Sequence, residues 1–313
     1  MRVLLFGTGE MGSRHLQGLS HLPPGSEILA LEPRDDARAL ALSRWQAMPG
    51  HERVSLRFDA AAALPEGFDA AILATAAPAR LAQLRRVLES GIRHVLAEKV
   101  LFQSVADYRA ALEMARQAGA DVRAHVPLRY VPVLQALRAR IAGRPFTLDV
   151  TVGNRGMGCN AIHFLDLFQF LAGQPPIDMT AAIDRPVQPN RRDAALVEFT
   201  GVARARTATG AQARIAFVPD HERLAVLTLD IDGRRTIIDQ AGAVSSDDAA
   251  LAGARFEMPM ASAMTAGMIR DIQGGLSVLP DLAEGFETNR LMLDAYNRAL
   301  TGHHADDQTC PIT

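Results

Sequence analysis

Lys99 is the only lysine in a chain of 313 residues, against 32 arginines. A guanidinium stays protonated, whereas a buried ammonium can lose its proton and act as acid, base or polarising donor. Lys99 is therefore a candidate catalytic group, with a lysine left behind by drift as the plain alternative. A second chemical signal is the glycine spacing Gly7, Gly9 and Gly12 in GTGEMG. Bare backbone N–H groups at such a loop suit phosphate oxygens. A third is His163, three residues before Asp166. An imidazole near its ordinary pKa suits proton transfer. A packed, hydrogen-bonded core histidine is the equal alternative there.

The elements around these residues give them positions. Residues 2–6 (RVLLF) read as a buried strand that enters the glycine loop, and a helix follows with Met11, His15, Leu16 and Leu19 at helical spacing. In a strand–loop–helix setting Gly7 allows the tight turn, Gly9 lets backbone approach a pyrophosphate, and Gly12 lets helix and strand pack closely. Glu10 and Met11 complete the cofactor loop. A second strand, residues 27–31, ends at Glu32, an acid placed to accept from a ribose 2′-hydroxyl. This predicts NAD, and Arg34 leaves NADP as the alternative. Strands over 54–58, 70–74, 94–97 and 122–126 alternate with helices over 79–90 and 106–119. Such alternation predicts a doubly wound parallel sheet, whose ligands bind beyond the carboxyl ends of the strands. Thr75, Ala76 and Pro78 follow one strand end, and Glu98 and Lys99 follow another. Glu98 is expected to orient its turn or touch the cofactor.

The second half reads differently. A strand over 145–152 leads to a glycine-broken loop over 154–158 and an apolar helix over 162–172. Apolar or alternating runs follow at 194–199, 213–217, 224–231 and 235–239, with Asp232-Gly233 as a hairpin signal. Helices over 261–273 and 286–300 close the chain. The expected domains are 1–123, dinucleotide-binding, and 124–313, binding substrate and forming a dimer or tetramer through its sheet. The C-terminal helix is free to pack back on the first domain. His125 and Arg129 flank the junction, and Arg155 sits in the glycine-rich loop. An arginine in a cleft would hold a substrate carboxylate or phosphate, and ordinary salt bridges are the alternative for each.

Bulk composition excludes several classes. Hydrophobic residues make up 48% and charged residues 22%, with a net charge of −2, so neither nucleic acid nor an anionic membrane is expected as a partner. The two cysteines, Cys159 and Cys310, lie far apart, and His303 and His304 sit in a polar tail. No metal spacing and no disulfide framework are read. The apolar run at 3–6 is too short for a leader, and no stretch is long enough to span a bilayer. A cytoplasmic protein is expected.

The order GTGEMGSRH, TAAP, AEKV at a strand end, RAHVPLRYVP and a terminal LPDLAEGFETNRLMLDAYNRAL resembles the Gfo/Idh/MocA oxidoreductases. The resemblance implies an α/β protein: an N-terminal Rossmann domain plus a C-terminal α/β domain with a large, mostly antiparallel open sheet. It implies hydride transfer between NAD(P) and a secondary alcohol or ketone of a sugar, sugar acid, cyclitol or nucleotide sugar. Glu98 and Lys99 match the family's Glu-Lys-Pro, with Val100 in place of proline. The Lys99–Val100 bond is accordingly expected to be trans. His163 and Asp166 match a second motif, but Cys159 stands where an aspartate is frequent, with Asn160 one place out of register. The implied roles are His163 as general base and Lys99 as the group polarising the same oxygen, with Lys99 able to take the proton itself. Cys159 and Asn160 are substrate candidates. Two other readings remain: a non-catalytic dinucleotide-binding regulator, and an imine or amino-acid dehydrogenase.

Overall fold

The structure is a computed structural model that describes residues 1–60, 64–190, 193–302 and 308–313. His303 and His304 lie outside the described residues. The chain divides into two units: 1–102 with 107–125 and 259–283, and 103–106 with 126–258 and 284–313.

The first unit is built on six strands: β1 (Arg2–Phe6), β2 (Glu27–Leu31), β3 (Ser55–Asp59), β4 (Ala70–Leu73), β5 (His94–Ala97) and β6 (Asp121–Ala124). All pairings are parallel, and the order is β3-β2-β1-β4-β5-β6. Helices α1 (Glu10–Leu19), α2 (Asp35–Gln46), α3 (Ala77–Glu89) and α4 (Val105–Ala118) supply the crossovers. Val3, Leu4, Leu5, Ile72, Leu73, Val95 and Leu96 are fully buried. That explains the apolar runs at 3–6, 70–73 and 95–97: helices cover both faces of a parallel sheet, so its central strands carry apolar residues on both sides. The order reverses between β1 and β4, where ligands of such sheets bind.

Residues 259–283 were expected in the second domain but belong to the first unit. Their helix Ala261–Gln273, α7 below, packs on α1. A Cβ on Gly18 of α1 would lie 2.4 Å from the Ala261 carbonyl oxygen, so this approach needs glycine.

The second unit holds α5 (Pro132–Ile141) and α6 (Met157–Ala172), together with β7 (Thr147–Val152), β8 (Asp178–Ile183), β9 (Gln188–Pro189), β10 (Val197–Glu198), β11 (Gly201–Arg206), β12 (Gln212–Phe217), β13 (Val226–Ile231), β14 (Arg234–Asp239) and β15 (Val244–Ser246). Seven of these strands form one sheet, ordered β15-β14-β13-β7-β12-β11-β8 and antiparallel except at β7–β12. The run at 194–199 does not join it: β10 pairs only with β9. Asp232 and Gly233 have φ of 54° and 79°, as a two-residue hairpin requires, and join β13 to β14. α6 packs against the sheet with most of its residues buried, and it begins five residues before the expected start. The last helix, α8 (Leu282–Thr301), lies in this unit from Glu284 onward, whereas α7 belongs to the first. Among the described residues, no helix is long and apolar enough to cross a membrane.

Candidate functional site

The carboxyl ends of β1, β4 and β5 lie on one edge of the first unit's sheet, because those strands are parallel neighbours. The glycine loop, the Thr75–Pro78 loop and the Glu98-Lys99 turn therefore emerge from a single edge.

Gly7 has φ +79°, and a Cβ on Gly12 would lie 2.0 Å from the Gly7 carbonyl oxygen. The loop closes only with glycine at both positions. Gly9 is different: a Cβ there would meet only the Arg34 Nη2, at 3.8 Å, so its open side faces no packed neighbour. Gly9 caps α1 without a side-chain hydrogen bond, which leaves first-turn N–H groups available to an anion. The Glu32 carboxylate is 5% exposed. It accepts from the Thr8 N–H at 2.8 Å and the Arg34 N–H at 3.2 Å. The Thr8 hydroxyl is buried and has no hydrogen-bond partner among the described residues. Such an orphaned buried oxygen is a position that a ligand can satisfy. This loop, with an acid at the end of β2, fits a dinucleotide: backbone N–H groups for its pyrophosphate and Glu32 for a ribose hydroxyl. Arg34 extends outward with its Nε 3.6 Å from Glu32. Glu10 is engaged on the surface by Arg44 at 2.9 Å. Met11 is half-buried in the first turn of α1.

After β4, Thr75 donates to Gln83 Oε1 at 2.5 Å, Ala76 is exposed, and Pro78 occupies the first turn of α3. The sequence reading missed Arg80. It is 1% exposed, and its guanidinium donates to the carbonyls of Thr75, Val100 and Leu101. One side chain thus ties the β4 loop to the turn after Lys99. The Lys99–Val100 peptide is cis, contrary to the expectation from valine. Val100 is fully buried, and Arg80 holds its carbonyl, so surroundings rather than residue type set this turn. Lys99 itself is half-buried.

Glu98 lies inside the unit. Its Oε1 contacts His15 Nε2 at 2.8 Å and His125 Nδ1 at 2.7 Å. His15 Nδ1 lies 2.9 Å from the Thr265 hydroxyl, and the two imidazoles meet edge to face at 4.7 Å. All four residues are at most 4% exposed. Burial would raise the Glu98 carboxyl, but His125 and His15 outweigh it and hold the group well below its ordinary value. Burial pulls His15 below its ordinary value against the bond to Glu98, which raises it. Glu98, His15 and His125 could be imagined around a metal ion. Ligand atoms at about 2.0–2.1 Å from a tetrahedral ion stand about 3.3 Å apart, so the observed contacts are proton bridges. His125, expected to reach substrate, is turned into this cluster instead. His15 and Thr265 escaped the sequence reading. Register offered a clue, since Ala97 pairs with Ala124 and the next residues are Glu98 and His125.

In the second unit, Cys159 and His163 stand one helical turn apart on α6, both half-buried, and four residues is the spacing that puts side chains on one helix face. Asn160 donates from Nδ2 to the carbonyls of Arg155 and Gly156, at 2.5 and 3.2 Å. It closes the loop before α6, and Arg155 is exposed in that loop. Arg129 does not wait for a substrate carboxylate. Its Nε and Nη2 donate to Asp166 at 2.9 and 2.7 Å, and its Nη1 to Glu284 at 2.6 Å. At 2% exposure, its charge is answered by acids of the protein itself.

Residues 1–125 match the family model GFO_IDH_MocA, described as an oxidoreductase family with an NAD-binding Rossmann fold. The D-apiose dehydrogenase of Paraburkholderia graminis is 31% identical over 190 residues, covering 54% of this chain and 49% of that protein. The match thus spans about half the length of this curated relative. The WlbA dehydrogenase of Bordetella pertussis, solved with NADH and UDP-GlcNAcA, superposes with a TM-score of 0.73 at 18% identity, covering 97% of each chain. Myo-inositol 2-dehydrogenase of Lactobacillus plantarum superposes with a TM-score of 0.72 at 15% identity, over 98% of this chain and 99% of that one. At these identities the structural likeness is one of fold.

Proposed function

We propose that this protein, whose first 125 residues match the NAD-binding Rossmann model of the Gfo/Idh/MocA oxidoreductases, is an NAD-dependent dehydrogenase or reductase acting on a CH–OH carbon of a sugar-like substrate. The observation that carries the reading is the shared edge. The glycine loop after β1 and the chain's only lysine after β5 emerge from one side of one parallel sheet.

A bound nicotinamide would supply the hydride chemistry. The residues of this chain would do the rest. The first-turn N–H groups of α1 hold the pyrophosphate, and Glu32 accepts from a ribose hydroxyl and disfavours a 2′-phosphate by charge repulsion. Lys99 donates to the substrate oxygen and polarises the carbon–oxygen bond. His163 is proposed as the general base. D-apiose dehydrogenase and the superposed cyclitol and nucleotide-sugar enzymes support a carbohydrate-like substrate. Arg129, already engaged by two acids, gives no support to an amino-acid substrate.

The test is a panel of free sugars, sugar acids, cyclitols and nucleotide sugars, followed by NADH absorbance, beside NADH affinity read by fluorescence. Lys99→Met should lower turnover at least about a hundredfold, the scale of one removed polarising donor, with NADH affinity kept. Lys99→Arg should also lower turnover, since a broad planar guanidinium does not place a donor where the compact ammonium of a half-buried lysine does. Wild-type turnover in Lys99→Met ends this assignment of Lys99. Wild-type protein that binds NADH but turns over no member of the panel favours the regulator reading instead.

A further inference from the structure

The Thr265 hydroxyl has one proton and gives it to the Ala261 carbonyl at 2.7 Å. Toward His15 it can only accept, so His15 Nδ1 carries a proton. His15 Nε2 and Glu98 Oε1 stand 2.8 Å apart and also need a proton between them. His125 donates from Nδ1 to the same oxygen. The bonds of His15 and Glu98 are therefore complete only when the two together hold one proton more than a neutral imidazole beside a carboxylate; burial, which lowers His15, works against that proton, and the paired contacts with Thr265 and Glu98 work for it. With His125 counted as a neutral ring that donates from Nδ1, the cluster is net neutral wherever that proton sits. Without it, the cluster carries one negative charge, centred on the residue that precedes Lys99 in the chain.

The cluster also joins four elements. His15 comes from α1, Glu98 from the end of β5, His125 from the end of β6 and Thr265 from α7. Each is buried, and each enters through its side chain. Glu98 and Lys99 are consecutive, so whatever fixes the Glu98 side chain fixes the backbone from which Lys99 projects.

We propose that His15 and Thr265 are positioning residues: with His125 they hold Glu98 through a shared buried proton, and thereby set both the placement and the charge environment of Lys99. That Lys99 is the reacting group rests on the function proposed above. The coupling of the cluster to Lys99 does not.

The single lysine makes the test direct. Protein labelled with 13C only at lysine gives one side-chain Cε signal, that of Lys99, and its titration needs neither substrate nor cofactor. Thr265→Val keeps the shape but removes the acceptor of His15 Nδ1–H. His15 is then free to move its proton to Nε2 and bond Glu98 as a neutral imidazole, leaving the cluster one proton short. The Lys99 titration midpoint should rise beside the negative cluster, and Thr265→Ser should restore the wild-type curve. Should Thr265→Val fail to fold, His15→Gln removes the same proton and should also raise the midpoint. An unchanged or lowered Lys99 midpoint in the folded variant overturns the proposal, as does a Thr265→Ser curve matching that of Thr265→Val. A wild-type protein without NADH binding would sink the proposed function but leave the lysine titration to decide this inference separately.

Discussion

Replacing Arg129 by methionine should destabilise the second unit strongly. Arg129 and Asp166 are 2% and 4% exposed, and two hydrogen bonds of 2.9 and 2.7 Å join them. Methionine keeps apolar contact with Phe170, over whose ring the guanidinium carbon lies at 5.2 Å. What it removes is the cation, so Asp166 is left buried and unanswered. Breaking a buried pair from one side costs about 3–5 kcal/mol. Glu284, with a 44% exposed side chain, can rehydrate and adds little. At roughly 2–4 °C per kcal/mol for a unit of this size, the midpoint should fall by about 10 °C. Differential scanning calorimetry at acidic and alkaline pH is the assay. The sign of the pH effect follows from Asp166, whose pKa burial raises above its ordinary value despite Arg129. A carboxyl whose folded pKa is raised contributes stability at low pH and loses it as pH rises through the folded value. Without Arg129 that shift grows, so the loss relative to wild type should be smaller at pH 5 than at pH 8. Arg129→Met/Asp166→Leu should recover most of the loss, because no charge is then stranded. A single variant as stable as wild type, with weakened binding of an acidic substrate, would refute this reasoning and return Arg129 to the substrate.

Two further outcomes are expected. Gly12→Ala should lower both stability and NADH affinity, since its Cβ would lie 2.0 Å from the Gly7 carbonyl oxygen, whereas Gly9→Ala should keep the wild-type melting temperature and lose only affinity; calorimetry beside NADH fluorescence separates the two, and equal melting losses would contradict the open position of Gly9. Of the two thiols, half-buried Cys159 should react with a disulfide reagent in the native protein, while Cys310, fully buried with its pKa pushed up to about 12 by burial, should react only after denaturation; two fast thiols would contradict this burial.

The local grammar of the first unit was legible in the chain. Strand residues buried on both faces are apolar without interruption, so residues 3–6, 70–73 and 95–97 announce themselves. Gly7, Gly9 and Gly12 do so because backbone geometry forbids side chains at a close turn and a close helix–strand contact. Lys99 was visible as a residue type that the rest of the chain avoids. The Asp232-Gly233 hairpin was visible because few residues accept its φ angles. By contrast, β11 is hard to read by hydropathy: exposed Arg204 and Arg206 alternate with Ala203 and Ala205, whose small side chains carry little apolar signal although they are the buried face.

The chain by itself therefore determined the parallel sheet, the glycine loop and the strand end on which Lys99 stands, all consequences of short-range geometry. Tertiary structure decided what each polar residue answers to. Glu98 met His15 and His125, Arg129 met Asp166 and Glu284, and Arg80 reached the carbonyls beside Lys99. Residues 259–283 joined a unit that is otherwise built from the first 125 residues. Hydrogen bonds and ion pairs act over a few ångströms of space, and space places side by side residues that lie up to 250 positions apart along the chain, as it does His15 and Thr265.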